Sequence, residues 1–100
     1  MGKADYFIAA EAIKAIAHPI RLEVIDILRN KELSVSIIQA KLKAKQSITS
    51  QHLIVMKNKK ILQSRRDGNV IYYSIKNKNI LKIIQCIDSC KSYKEEEKNV

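Results

Sequence analysis

The stretch SVSIIQAKLKAKQSITSQHLIVMKNKKILQSRRDGNVIYYSI, residues 34–75, decides the fold. Its first ten residues predict a short helix over 34–43: Ser34 offers a hydroxyl to cap free backbone N–H groups, and Ile37, Ile38 and Leu42 supply the inner side chains. After a tight turn at 43–45, residues 46–58 predict a second helix with Thr49, Leu53 and Met56 on one inward stripe and an almost entirely polar opposite face. Leu62–Arg66 and Asn69–Ile75 then flank Asp67-Gly68, a turn dipeptide, with Ile71, Tyr73 and Ile75 alternating on one side, which is the pattern of a β-hairpin. Two helices joined by so short a turn form a helix-turn-helix, and a two-stranded ribbon follows directly behind it.

Helices extend on both sides of this unit. Residues 5–17 carry strong helix formers, with Asp5 near the start where it suits the helix dipole, and are apolar nearly all round. A helix of that kind on so small a chain calls for a second burial partner. His18-Pro19 breaks the pattern, and proline fits the first turn of the next helix, predicted over 19–30 with Leu22, Ile25 and Leu28 on one face. A last helix over 79–93 places Ile80, Ile83, Ile84 and Ile87 on a stripe. The expected order is α-α-α-α-β-β-α, mainly α with a β-hairpin, in one domain over residues 1–94 with a charged tail at 95–100; a chain of 100 residues has room for no second core.

The net charge of +9 is unevenly spread. Residues 33–66 hold eight basic side chains and no acidic one, whereas the flanking thirds are close to balanced. Ordinary surfaces intersperse both signs, so an acid-free basic segment points to a polyanion partner. In a helix-turn-helix the second helix can enter the major groove of duplex DNA, and its first residues here, Gln46, Ser47, Thr49, Ser50, Gln51 and His52, are of the kind that reach phosphates and base edges. Lys43, Lys45 and Lys57 flank them. On the hairpin, Arg65, Arg66 and Asn69 are placed to lie along the backbone or enter the minor groove.

Other classes fit less well. No run approaches the roughly eighteen apolar residues of a membrane span, and the N-terminus lacks the layout of a secretion signal, so no membrane partner and a cytoplasmic location are expected. Cys86 and Cys90 stand four apart on a helix, where a disulfide between them would be strained and would close almost no loop. Catalysis has nothing to rest on: there is no Gly-rich phosphate loop and no His-Glu cluster. The alternative of a protein-interaction module docking its basic strip on an acidic partner lacks exposed Leu, Phe or Trp anchors, since the polar run contains only Ile48. RNA binding lacks a platform of aromatics.

Three segments, Ala17-His-Pro-Ile-Arg-Leu-Glu-Val-Ile-Asp-Ile-Leu28, Ser50-Gln-His-Leu53 and Ser64-Arg-Arg-Asp-Gly-Asn-Val-Ile-Tyr-Tyr-Ser-Ile75, resemble in order the motifs of the ArsR/SmtB family, and the similarity runs from about residue 8 to residue 90. The resemblance implies a winged helix-turn-helix, a homodimer built through the first and last helices, and a transcriptional repressor that meets a palindromic operator until a metal, metalloid or oxidant weakens its hold. It makes His52 a support or phosphate contact beside the recognition surface. Thiolate-site members carry Cys-x-Cys at the start of the third helix, where this chain has Ser34 and Ser36; the other common site needs histidine on the last helix, which has none. No metal site or cofactor is therefore expected from the family pattern. Cys86 and Cys90 remain, and three readings stay open: packing in the dimer interface, sensing of an oxidant, and capture of a soft metal inducer through thiolates of both chains. The family also favours glycine just after the recognition helix, where this chain has Asn58-Lys59-Lys60.

Overall fold

The computed structural model describes residues 1–90. The chain runs through α1 (Lys3–Ile16), α2 (Pro19–Ile27), β1 (Leu33–Ser34), α3 (Val35–Leu42), α4 (Gln46–Asn58), β2 (Leu62–Asp67), β3 (Val70–Ile75), a 3-10 turn (Lys78–Ile80) and α5 (Leu81–Ser89). Pro19 occupies the first turn of α2, where its missing N–H costs nothing, and His18 caps that helix by accepting from the Ile20 N–H through Nδ1 at 3.1 Å. Ser34 caps α3, its hydroxyl accepting from the Ile37 N–H.

The core is a single cluster in which Val24, Ile25 and Leu28 of the α2 segment meet Ile38 of α3, Leu53 and Met56 of α4, and Ile61 and Leu62 at the foot of the ribbon. Tyr73 and Ile75 close it from β3, and Ile80 and Ile84 from the α5 end. α1 joins only through its last turns, where Ala15 and Ile16 are buried; every residue from 1 to 10 is exposed.

The expected order of helices and hairpin is present, with one addition. A two-residue strand, β1, pairs antiparallel with β3 (Leu33 with Tyr73, Ser34 with Tyr72), so the sheet has three strands in the order β1-β3-β2. Two residues display no period, and their partner lies forty positions away, so nothing local announces the strand. The hairpin turn is also one residue later than expected. Asp67 pairs with Val70, which makes Gly68 and Asn69 the central residues, and the positive φ of 62° falls on Gly68 at the first of them, as a type II′ turn requires. Ile37, expected inside, is 46% exposed, because α3 turns Ile38 to the core instead. The last helix starts at Leu81, after the 3-10 turn; its expected end at 93 and the tail at 95–100 lie outside the described residues.

The end of α4 shows how the chain manages without the family's glycine. Lys60 takes the left-handed conformation, φ 63°, while its N–H bonds to the Lys57 carbonyl and the Ile61 N–H reaches back to the Met56 carbonyl, both at 2.9 Å. These two bonds satisfy carbonyls that the helix end would leave free, and Ile61 buries itself against the core beside Met56. A lysine in this conformation crowds its own Cβ. Lys60→Gly is expected to stabilise the fold by about 1 kcal/mol, read as a higher urea midpoint at unchanged m-value. A lower midpoint would show that the lysine side chain contributes more than its backbone strain costs.

Candidate nucleic-acid interface

Burial of one stripe fixes what α4 shows to solvent. Thr49, Leu53 and Met56 have no exposed surface, so the helix cannot roll, and Gln46, Ser47 and Gln51 stand exposed on its other side with Ser50 half-buried at the flank. Its first turn is open. Lys45 caps it with backbone alone and no side chain bonds to the leading N–H groups, so these donors and the positive end of the helix dipole face outward together with Lys43 and Lys45. Lys43, at φ 56°, ends α3 in a left-handed conformation and so sets the angle at which α4 departs.

The ribbon of β2 and β3, the wing, lies across an open groove of about 550 Å³ from α4, which contributes Gln46, Ser50 and Lys57 to the lining while the wing contributes Asn69. Arg66 and Asn69 are exposed on the wing. Among the described residues Arg66, Lys41, Lys43, Lys45, Lys57 and Lys60 make no ion pair, whereas Lys59 lies 3.7 Å from Glu11 and Arg65 is tied to Glu32. Six of the eight basic side chains of residues 33–66 are thus left for an outside partner.

Arg65, expected to meet DNA from the wing, is also tied within the molecule. Its Nε donates to Glu32 Oε1 at 2.8 Å, a second guanidinium nitrogen lies 2.7 Å from the same oxygen, and the guanidinium stacks over the Tyr72 ring at 4.4 Å. The contact to Glu32, just before β1, clamps the wing to the helix-turn-helix and raises the arginine's pKa. Arg65 thus holds the wing while its side chain stays exposed, and Arg66 is the wing arginine without an ion pair among the described residues. Thr49 is likewise no contact to an outside partner: it is fully buried, with its Oγ1 enclosed and without a hydrogen-bond partner among the described residues. The expectation of a role in binding gave way because a position cannot serve the inward stripe and the outward face at once.

His52 supports α4 from behind. Its Nδ1 accepts from Arg21 Nε at 3.0 Å, its ring lies 4.5 Å from that of His18, and Arg21 also donates to the Ala15 carbonyl, so one cluster joins α1, α2 and α4. Burial, then the His18 ring, then the Arg21 guanidinium hold the imidazole's pKa below its ordinary value. The unfolded chain therefore takes up a proton at His52 first, near the ordinary pKa of about 6.5, and stability drains away as pH falls below that point through the lowered folded value. Urea midpoints from pH 7.5 to 5.5 should fall in the wild type and fall less in His52→Gln, whose amide oxygen can still accept from Arg21. An equal fall in both would place the acid sensitivity elsewhere.

Cys86 on α5 and Cys90 at its C-cap are exposed, remote in sequence from the interface. Among the described residues no group of three or more His, Cys, Asp or Glu side chains gathers to hold a metal ion, and no helix is long and apolar enough to cross a membrane. Sequence reasoning missed Arg21 and Glu32, because both act through partners more than thirty residues away.

Comparison with known proteins agrees with this geometry. The family model described as "Bacterial regulatory protein, arsR family" matches residues 18–64, from the cap of α2 into β2. The transcriptional repressor PagR of Bacillus anthracis is 41% identical over 80 residues, covering 79% of this chain and 80% of PagR. Its crystal structure aligns with a TM-score of 0.76, over 86% of this chain and 99% of that one. The nodulation protein NolR of Rhizobium meliloti is 38% identical over 80 residues, spanning 80% of this chain and 66% of NolR. HlyU from Vibrio cholerae gives a TM-score of 0.79 at 26% identity, over 87% of this chain and 94% of that one. The chain belongs to the ArsR family of bacterial regulatory proteins: it is a winged helix-turn-helix DNA-binding transcriptional regulator and not an enzyme.

Proposed function

We propose that this regulator binds a palindromic duplex operator as a homodimer and represses the transcription it controls. The observation that carries the reading is the open first turn of α4, flanked by unpaired lysines and facing a wing whose Arg66 has no ion-pair partner among the described residues. In this reading Gln46, Ser47, Ser50 and Gln51 meet base edges and phosphates in the major groove. Lys43, Lys45 and Lys57 neutralise phosphates, and Arg66 with Asn69 follows the backbone beside the groove. PagR, named a transcriptional repressor, supports the direction of control.

Dimerisation rests on α1. Tyr6, Phe7 and Ile8 are 60%, 68% and 65% exposed, and Ile87 of α5 is also open. Apolar side chains in that number on one 14-residue helix call for a partner surface, and a second copy supplies the matching one. A two-fold dimer presents two copies of α4, which is why the operator should be an inverted repeat.

The direct test is selection from a random duplex library by the purified chain. The expected product is an inverted repeat whose half-sites are centred about one helical turn, or a whole multiple of it, apart. Recovery of unenriched sequence, or of single unpaired half-sites, would contradict the reading.

For release from DNA, Cys86 and Cys90 are the groups we assign to an oxidant or a soft metal ion, since both residues are exposed at the C-terminal end of α5. Oxidation by a peroxide would join two thiols as a disulfide across the dimer, giving up two protons and two electrons as the peroxide becomes water. The double variant Cys86→Ser/Cys90→Ser is expected to bind the selected duplex as the wild type does and to stay bound after peroxide or cadmium treatment. Normal release of the double variant would reduce both cysteines to packing.

A further inference from the structure

One side chain on the outward face of α4 does not fit a purely polar interface. Ile54 is 52% exposed and follows Ser47 and Gln51 on the same stripe, at spacings of four and three residues that bring all three to one side of the helix. It lines the groove between α4 and the wing, where Val70, 40% exposed, stands on the opposite bank. The rest of that lining combines the less exposed Val35, Leu53, Ile71 and Tyr73 with amide and hydroxyl side chains and Lys57, and holds no acidic residue. The groove thus joins anion-tolerant groups to apolar surface, and Ile54 and Val70 are the most exposed of its apolar side chains. It is also apart from the apolar side chains of α1, whose partner has been assigned to a second copy.

In the major groove each base pair displays donors and acceptors, and the C5 methyl of thymine is the apolar feature among them. We propose that Ile54 is a specificity-determining residue that reads thymine through this methyl group, one turn of α4 beyond the bases met by Gln51. The inference rests on the operator-binding reading above and deepens it: Gln51 selects by hydrogen bonds, and Ile54 selects by burying a methyl that cytosine lacks. An exposed isoleucine loses its contact with water only when such a surface closes over it, so the gain is specific to the correct base.

The experiment uses the full chain and the selected duplex, made once with thymine and once with 2′-deoxyuridine at every thymine position. Uracil keeps the pairing and the O4 acceptor and lacks the methyl. Wild type is expected to bind the thymine duplex about fourfold more tightly per methyl contacted, or about fifteenfold over two half-sites. Ile54→Ala is expected to bind the two duplexes within about twofold of each other. Changes in duplex stiffness caused by uracil affect both proteins alike and cancel in this comparison. Ile54 is half exposed, so the variant should melt with the wild type, and a thermal unfolding curve checks it. Equal discrimination by wild type and variant, no discrimination by wild type, or loss of the dimer in Ile54→Ala would overturn the assignment while leaving operator binding intact. Failure of wild type to bind either duplex would overturn operator binding itself, and the assignment with it.

Discussion

Raising the salt concentration from about 50 to about 200 mM is expected to weaken operator binding by about 10³- to 10⁵-fold. Each protomer presents Lys43, Lys45, Lys57 and Arg66 without ion-pair partners among the described residues, and a dimer doubles them. Each neutralised phosphate releases condensed counterions, and with about eight such contacts the slope of log affinity against log salt is about −7. Fluorescence anisotropy on a labelled duplex at a series of salt concentrations measures it directly. Arg65 should add nothing to this slope, because Glu32 already neutralises it. A slope shallower than about −2 would mean that the bases of residues 33–66 are not at the interface.

Phe7→Asp is expected to convert the proposed dimer to monomer. Phe7 is among the most exposed large apolar side chains of the described residues and sits with Tyr6 and Ile8 on the projecting part of α1. A carboxylate buried there without a partner costs several kcal/mol, and each 1.4 kcal/mol is a tenfold change, so the dimer dissociation constant should rise by about 100-fold or more. Folding should be spared, because Phe7 makes no contribution to the core cluster. Analytical ultracentrifugation reads the change in mass, and binding to the inverted repeat should collapse to that of a single half-site. A variant that stays dimeric and binds as before would move the interface away from α1.

Much of this fold is legible from sequence, and the reason is local physics. The helices announce themselves by period, α2 by Pro19 at its first turn, α3 by Ser34 at its cap, and the wing by alternation around Gly68. What sequence does not carry is pairing at a distance. β1 is two residues long and is defined by Tyr72 and Tyr73, forty positions later. Arg65 looks like a free wing-tip cation until Glu32 is found beside it, and His52 looks like a surface residue until Arg21 is found donating to it.

The proposed interface is legible as a region and less so as a set of atoms. Thr49 belongs by composition to the polar run but by period to the inward stripe, and burial decides in favour of the period. Ile54 is the reverse case: an apolar residue that period alone places on the outward face, where composition gives no reason to look for it. At Lys60 the backbone, not the side chain, is what the position requires, and the chain meets it with a lysine in a glycine's conformation.

In the proposed complex α4 and the wing tip are the surface that meets duplex DNA. Nuclear magnetic resonance of the ¹⁵N-labelled chain, titrated with the selected duplex, tests it residue by residue. The largest shifts are expected at the amides of residues 46–51 and 66–70, with α1 nearly silent. Shifts concentrated in α1 and α5, with those of α4 unmoved, would contradict it.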